Sequence, residues 1–424
     1  MRRPTLESIR NFDRPVYIVS IGQLTNIFGR GLVYPFATIH FHLFLGIPLA
    51  IVGLGFLLKN IASALATAIG GFLADRYGRR PVMIGSMGGN AITLTAYAFV
   101  PVLAIAVGGI TLGSAFVLVS IASGLTSGLY TPAAQAYIAD VTDDRHRDQA
   151  FSLLKVANNV GFGTGFVVGG ILYSLANVSI FIADGITSAI VAGLFIVGVP
   201  RTKQPTRAAH LKDAVTDWQQ AMTKPPVIFL AVLNIGFAIM YAQMQTTIPI
   251  VAKSQLGLES SELGTLFVLN PLTLVLFQIP LVEAITHWRR TRGLVLSTVF
   301  WAISMLAVWI IFPLNLPIVI GIVLIGSHIV LRTVGEVLHS PLITSLMSDI
   351  GTTAERGSQL SLLNIAKRLG FGLGSFIGGL FFDYGLAGIL WPILALTCAG
   401  IGLGLLVFEQ QLSLKSTPSI SEGD

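Results

Sequence analysis

The chain has 424 residues, of which 53% are hydrophobic and only 11% charged, and its mean hydropathy is +0.79. A soluble domain carries about 25% charged residues, so this composition excludes a water-soluble enzyme and points to a surface that faces lipid. The net charge of +6 is scattered over short loops, which excludes a nucleic-acid-binding face, and the single cysteine, Cys398, excludes an internal disulfide and reads as a small buried apolar residue.

In chain order, the apolar runs predict twelve membrane-crossing helices, over 15–43, 48–74, 80–102, 107–139, 144–174, 177–199, 225–252, 260–286, 290–313, 316–348, 353–382 and 385–409. Each is long enough to cross a hydrocarbon core of about 30 Å. The first fifteen residues are charged and polar, and the apolar run that follows is too long for the core of a cleavable signal. Residues 1–200 are expected to form one six-helix bundle and 225–409 a second. The linker 201–224 between them has helical spacing from His210 to Met222, as expected of a helix lying on the membrane surface. The Ser-rich tail from 410 to 424 is expected to be disordered. Spans 3 and 4, and spans 9 and 10, are the hardest to separate.

Basic residues fall on one side of this layout. Nineteen of the 26 lysines and arginines lie before span 1, in alternate loops or in the tail, whereas the opposite loops hold Lys253 alone. The positive-inside rule then places both termini in the cytoplasm.

The two halves are copies. Residues 129–170 align without a gap onto 338–379, and 14 of the 42 positions are identical. The match includes Pro132 with Pro341, Asp140 with Asp349, Arg147 with Arg356, and the run from Gly161 to Gly170 with that from Gly370 to Gly379. A repeat near half the chain length is the duplication of a whole bundle, and such a duplicated membrane protein suggests a transporter with its site between the halves.

The loop after span 2 reads Gly71-Phe72-Leu73-Ala74-Asp75-Arg76-Tyr77-Gly78-Arg79-Arg80. It resembles the signature loop of the major facilitator superfamily. With twelve spans, a central linker and duplicated halves, the resemblance covers nearly the whole chain. It implies an all-α polytopic membrane protein of two pseudo-symmetric six-helix bundles that rock about a central cavity. In that family the acid, here Asp75, faces the start of span 11 and nearby arginines, so Gly71, Asp75, Arg76, Gly78, Arg79 and Arg80, with Glu283 of the second half, are expected to form a conformational gate. The corresponding loop of the second half, from Glu283 to Arg290, keeps an acid in Glu283 but lacks the glycine turn. Span 5 resembles the family's antiporter signature in its glycines, with Phe166 standing where the signature has proline. Gly161, Gly165, Gly169 and Gly170, with Gly370, Gly374, Gly378 and Gly379 of span 11, are expected to be helix-packing positions against spans 2 and 8. Span 4 lacks the arginine that many drug:proton antiporters carry there. Arg30, between Gly29 and Gly31 in span 1, resembles the first span of several bacterial multidrug transporters and is inferred to supply that charge.

Ionisable groups inside the spans are expensive and therefore informative. The cations are Arg30, Lys59, Lys155, Arg332, Lys367 and Arg368; the deep acids are Glu336 and Asp184. Arg332 and Glu336 are four residues apart and share a helix face. Spans 1, 4, 7 and 10 line the cavity in the family, which makes Glu336 the first choice for the proton-coupling carboxylate and Asp184 the second. A purely structural Arg332–Glu336 pair is the alternative. Asn26, Tyr34, Tyr130, Gln135, Tyr241, Gln243 and Gln245, with Arg30 and Arg332, are the substrate-binding candidates. His328 and His339 are read as hydrogen-bonded packing groups, with proton relay as the alternative, and His40 and His42 face apart, so no metal site is expected.

The leading function is proton-coupled efflux of amphipathic drugs or related small molecules by alternating access. The alternative is a proton-coupled symporter or exchanger of a small organic anion, since cations outnumber deep acids. The chain shows no HExxH, GxSxG or P-loop motif, so neither catalysis nor a cofactor is expected. The expected partners are a small-molecule substrate, protons and the lipid bilayer of a bacterial or archaeal inner membrane, with the protein as a monomer.

Overall fold

The computed structural model describes residues 12–143, 146–201, 222–314, 316–350 and 355–416. Among them the fold is all-helical. The first half comprises α1 (Arg14–Val33), α2 (Leu49–Tyr77), α3 (Arg79–Ala98), α4 (Leu112–Asp140), α5 (Arg147–Leu175) and α6 (Ser179–Gly198). The second comprises α7 (Pro225–Thr246, continued by Ile248–Ser254), α8 (Ser260–Phe267, continued by Leu269–Ala284), α9 (Arg290–Trp309), α10 (Ile318–Ile350), α11 (Arg356–Asp383) and α12 (Ala387–Ser416). These twelve units match the twelve expected spans in order. The linker expected to hold a surface helix lies mostly outside the described residues, and α12 runs to Ser416, seven residues into the expected tail.

Nine of the described helices are long and apolar enough to cross a membrane, or ten if the bent pair that begins with α3 is one span. The two that fall short, α1 and α5, carry Gln23, Asn26 and Arg30, and Lys155, Asn158 and Asn159. They pack on each other, with Gln23 Nε2 donating to Asn158 Oδ1 at 2.7 Å. Asn26 is buried, and Gln23, Asn158 and Asn159 are half-buried, whereas Lys155 is exposed; a backbone that is already hydrogen-bonded can carry polar side chains at membrane depth.

Breaks in the helices have local causes. α1 ends before Pro35, and the chain goes on as Phe36–Thr38 and a π-helical stretch, Ile39–Phe44; Pro35 removes a hydrogen-bond donor and crowds the preceding turn. α3 ends at Ala98, and the helix Val100–Val107 turns away at 85°. Pro101 sits in that helix's first turn, and Gly108 and Gly109 follow it at φ 67° and 78°. The expected boundary between spans 3 and 4 is therefore occupied by a separate short helix. Gly78, at φ 94°, makes the tight turn between α2 and α3.

Within each half the pairings repeat: α1 packs on α5 as α7 packs on α11, and α9 packs on α10 and α12. Between halves, α2 meets α11 and α5 meets α8.

The glycine faces divide into two sets. Gly161, Gly165 and Gly169 lie against Leu24, Phe28, Gly31 and Leu32 of α1, and Gly370, Gly374 and Gly378 against Ile235, Ile239, Gln243 and Thr247 of α7. These i, i+4 series therefore seal each half rather than packing on the opposite one. Gly170 reaches Ser260 and Gly264 of α8, and Gly379 reaches Leu49 and Ala50 of α2. A helix carries two faces, and the residues one step round belong to the neighbour across the interface.

Candidate functional site

Contacts that join the halves cluster away from the basic loops. Thr38 Oγ1 donates to the Gln245 carbonyl at 2.9 Å, and Asp383 accepts from the Leu49 and Ala50 N–H groups at 2.9 and 2.8 Å. Nearer the middle, Arg368 Nη1 donates to Ser63 Oγ at 2.6 Å. On the basic side the ion pairs among the described residues stay within one half. Arg79 lies 3.1 Å from Asp75 and 3.0 Å from Asp140, Lys224 2.7 Å from Glu355, and Arg289 2.9 Å from Glu409. Arg290 pairs with Asp349. The halves thus meet on the far side and enclose a chamber reached from the basic side.

A cavity of about 260 Å³ occupies the first half's part of this chamber. Its wall includes Asn26 and Arg30 from α1, Tyr34 just past its end, Lys59, Asn60 and Ser63 from α2, and Asn90 from α3. Ser123 and Ser127 of α4, Asp184 of α6, Gln245 of α7 and Arg368 of α11 complete the polar lining. Arg30 is exposed to the chamber, whereas Asp184 is 1% exposed and its Oδ1 has no hydrogen-bond partner. Gly29 makes the room: a Cβ there would run into the Asp184 carboxylate and the Thr187 hydroxyl. Asp184 feels the charges of Arg30 and Lys59 without forming an ion pair with either. Lys59 Nζ stands 5.5 Å over the Tyr97 ring.

The second half contributes another cluster. Arg332 Nη1 donates to Glu336 Oε2 at 3.2 Å, with the two side chains 4% and 23% exposed. The Arg332 guanidinium lies 4.7 Å and Lys367 Nζ 5.0 Å from the centre of the same Tyr241 ring. Trp301 sets the floor, with its Nε1 donating to the Arg332 carbonyl at 2.8 Å and its ring edge-on to Tyr241 at 4.8 Å. Gly335 is bare because the Trp301 ring fills the place of a side chain. Tyr34 reaches over from α1, close enough to feel both Arg332 and Glu336.

Of the sequence-derived candidates, Asn26, Arg30, Tyr34, Asp184 and Gln245 therefore meet at the chamber wall, and Arg332, Glu336 and Tyr241 form the second cluster. Tyr130 is buried, stacked on Phe195 and near Arg30. Gln135 does not join them; it is exposed near the basic end of α4. Gln243 is a structural clamp, donating to the Ile239 and Gly374 carbonyls at 2.9 and 3.0 Å and accepting from Thr247, so it ties α7 to α11. His328 Nδ1 bonds the Ser304 carbonyl, and His339 packs on Phe237. No cluster of His, Cys, Asp or Glu fit to hold a metal occurs among the described residues.

Of the expected partners, Asp75 meets a nearby arginine, Arg79 of its own half. Glu283 is exposed, and its backbone carbonyl, not its carboxylate, takes the Thr286 hydroxyl. What the second half does keep is the brace: Arg290–Asp349 joins the start of α9 to the end of α10 as Arg79–Asp140 joins α3 to α4. Sequence reasoning missed Asn60, Asn90, Ser123, Ser127 and Asp383. Their signal was a polar side chain inside an apolar run, or, for Asp383, one at its very end.

Residues 19–260 and 233–419 match the family described as the Major Facilitator Superfamily. The chain belongs to that superfamily. Among relatives of this transporter, the uncharacterized MFS-type transporter YttB of Bacillus subtilis (strain 168) is 27% identical over 417 residues, 95% of this chain and 98% of that one. The multidrug resistance protein MdtH of Aeromonas salmonicida (strain A449) is 26% identical over 421 residues, 96% and 98% of the two chains. A Na(+), Li(+), K(+)/H(+) antiporter of Planococcus maritimus is 26% identical over 217 residues, about half of each. The fold is shared with the nucleoside transporter NupG, at TM-score 0.69 and 16% identity over 93% of this chain and 99% of that one. It is also shared with an inward-open structure of the xylose transporter XylE from E. coli, at TM-score 0.69 and 14% identity over 92% and 94%.

Proposed function

We propose that this transporter is a proton-coupled secondary carrier that exports amphipathic small molecules by alternating access, as a monomer in an inner membrane with both termini in the cytoplasm. One observation carries the reading: the chamber wall sets the deep carboxylate of Asp184 among Arg30, Lys59 and Arg368, and Tyr34 on that wall adjoins a second carboxylate, Glu336, paired with Arg332. A buried charge without a full set of partners costs several kcal/mol, so gaining or losing a proton at Asp184 changes the balance between conformations more than at any group already paired. Asp184 is accordingly the first coupling site and Glu336 the second, reversing the order expected from sequence. The aromatic wall (Tyr34, Tyr97, Phe162 and Phe371) offers adaptable apolar surface. The full-length similarity to MdtH supports export of drug-like cargo.

The second reading, symport or exchange of a small organic anion, is favoured by charge. Arg30, Lys59, Arg332, Lys367 and Arg368 face two carboxylates. Purified protein in proteoliposomes, given a pH gradient and either a cationic dye or an aromatic carboxylate, separates the two. Proton-driven dye movement supports export of amphipaths, carboxylate movement alone supports the anion reading, and no gradient-driven flux of either rejects both.

A further inference from the structure

We propose that Lys367 and Arg332, standing over the Tyr241 ring, form a seat for the anionic group of an amphipathic cargo, a carboxylate, sulfonate or phosphate monoester. The proposal rests on reading the chamber as the cargo site, and it assigns that site a charge class.

Two cations lie within about 5 Å of the centre of one aromatic ring. A ring attracts a single cation by about 0.5–2 kcal/mol, but a second cation at the same ring is repelled by the first. One carboxylate, Glu336, is close, and it is engaged with Arg332 Nη1 at 3.2 Å. Lys367 has no ion-pair partner among the described residues, and it is exposed one residue before Arg368 of the chamber wall. Arg332 Nε is buried without a hydrogen-bond partner, and the Tyr241 hydroxyl lies beside Glu336. An ammonium and a guanidinium N–H thus remain as unused donors beside one ring, where two cations face one carboxylate. That is the complement of an oxyanion, which accepts several charge-assisted hydrogen bonds at once.

The charges are not required by the fold. At the repeat offset of 209 residues, Lys367 corresponds to Asn158, Arg332 to Ser123 and Glu336 to Ser127. The first half builds the same helices with neutral side chains at all three positions. The second half therefore carries these ionic groups for something other than packing. Next to the seat, Tyr34 meets Phe162 edge-on at 5.9 Å and Phe371 lines the chamber. An anion held at Lys367 would lay its apolar body on these rings.

The test uses full-length protein in detergent with naphthalene-2-sulfonate as probe and benzyltrimethylammonium as a cationic control of similar size, read by thermal shift and by fluorescence of the tryptophans, one of which, Trp301, floors the seat. The sulfonate is expected to bind saturably. Lys367→Gln is expected to weaken it by about tenfold or more and Lys367→Arg to keep most of the affinity. Because Lys367 is exposed, its replacement is expected to leave the unliganded melting temperature unchanged. Equal sulfonate affinity in wild type and Lys367→Gln, or displacement by the cation at matching concentration, overturns the seat. Flux in proteoliposomes fails independently: dye export without sulfonate binding removes the seat and leaves the transporter reading, whereas sulfonate binding without any gradient-driven flux does the reverse.

Discussion

Asp383, at the last residue of α11, caps the first turn of α2 in the other half: its two carboxylate oxygens accept from the Leu49 and Ala50 N–H groups at 2.9 and 2.8 Å. The N-cap of α2 is Pro48, which offers no side-chain acceptor, so these orphan donors depend on the opposite bundle. The repeat equivalent, α8, needs no such help. Glu259 and Glu262 form a capping box there, with the Glu259 N–H donating to Glu262 at 2.8 Å. Hydrogen bonds to a charged group contribute about 1.5–3 kcal/mol each, part of which water restores when the far side opens.

Asp383→Ala is therefore expected to favour the conformation open on the far side by about tenfold, equivalent to about 1.4 kcal/mol. Spin labels at Leu43 and Leu386, both exposed and on opposite halves, would report the shift as a longer distance population in the variant. Identical distance distributions in wild type and variant would show that the cap does not bias the equilibrium.

The duplicated arginine–aspartate brace predicts an unequal pair of effects. Arg79 is 9% exposed and Asp140 34%, whereas Arg290 and Asp349 are 38% and 56% exposed. Removing one partner leaves a charge whose cost grows with burial, while an exposed pair contributes little. Asp140→Asn is expected to lower stability by about 1–2 kcal/mol, softened by Asp75, which also pairs with Arg79. Asp349→Asn is expected to cost less than about 0.5 kcal/mol. Melting temperatures in detergent compare the two, and a larger loss for Asp349→Asn would contradict the burial argument.

The fold was legible because lipid imposes length and polarity on every span, and because the repeat from Gly161 to Gly170 and from Gly370 to Gly379 declares the symmetry. The site was legible only in part. Arg30 and Asp184 betrayed themselves by charge at membrane depth. Gln243 looked the same on paper as Gln245, yet one clamps α7 to α11 and the other faces the chamber; helical spacing does not say which face meets the neighbouring helix and which meets water. Asp383 lay at a span end, where sequence alone cannot distinguish a loop residue from a cap that reaches across to the other half. The bend at Phe99 was hidden because apolar residues continue straight through it.

The glycines give a direct contrast. A Cβ at Gly374 would stand 2.5 Å from the Ile239 carbonyl oxygen and 2.6 Å from the Ile239 Cα, both backbone atoms that cannot yield without moving α7. A Cβ at Gly71 would meet nothing within 4 Å. Gly374→Ala is expected to cost about 1–3 kcal/mol, and Gly71→Ala to stay within about 0.5 kcal/mol. Thermal melts in detergent decide this, and a neutral Gly374→Ala would mean that the α7–α11 seam is looser than its spacing implies.

If Asp184 carries the coupled proton, two different substitutions should converge. Asp184→Asn removes the titratable group and is expected to abolish transport driven by a pH gradient while leaving exchange down a cargo gradient. Gly29→Ala keeps the carboxylate but places a Cβ where its oxygen and the Thr187 hydroxyl now sit, so it is expected to displace the group and lower gradient-driven transport by about tenfold or more. Glu336→Gln should leave more coupling than either, since that carboxylate is held by Arg332. Flux in proteoliposomes at matched protein levels ranks the three. Intact pH-driven transport in Asp184→Asn, with loss in Glu336→Gln, would return the coupling role to α10, because the partnerless oxygen at Asp184 would then be a cost the protein tolerates without using.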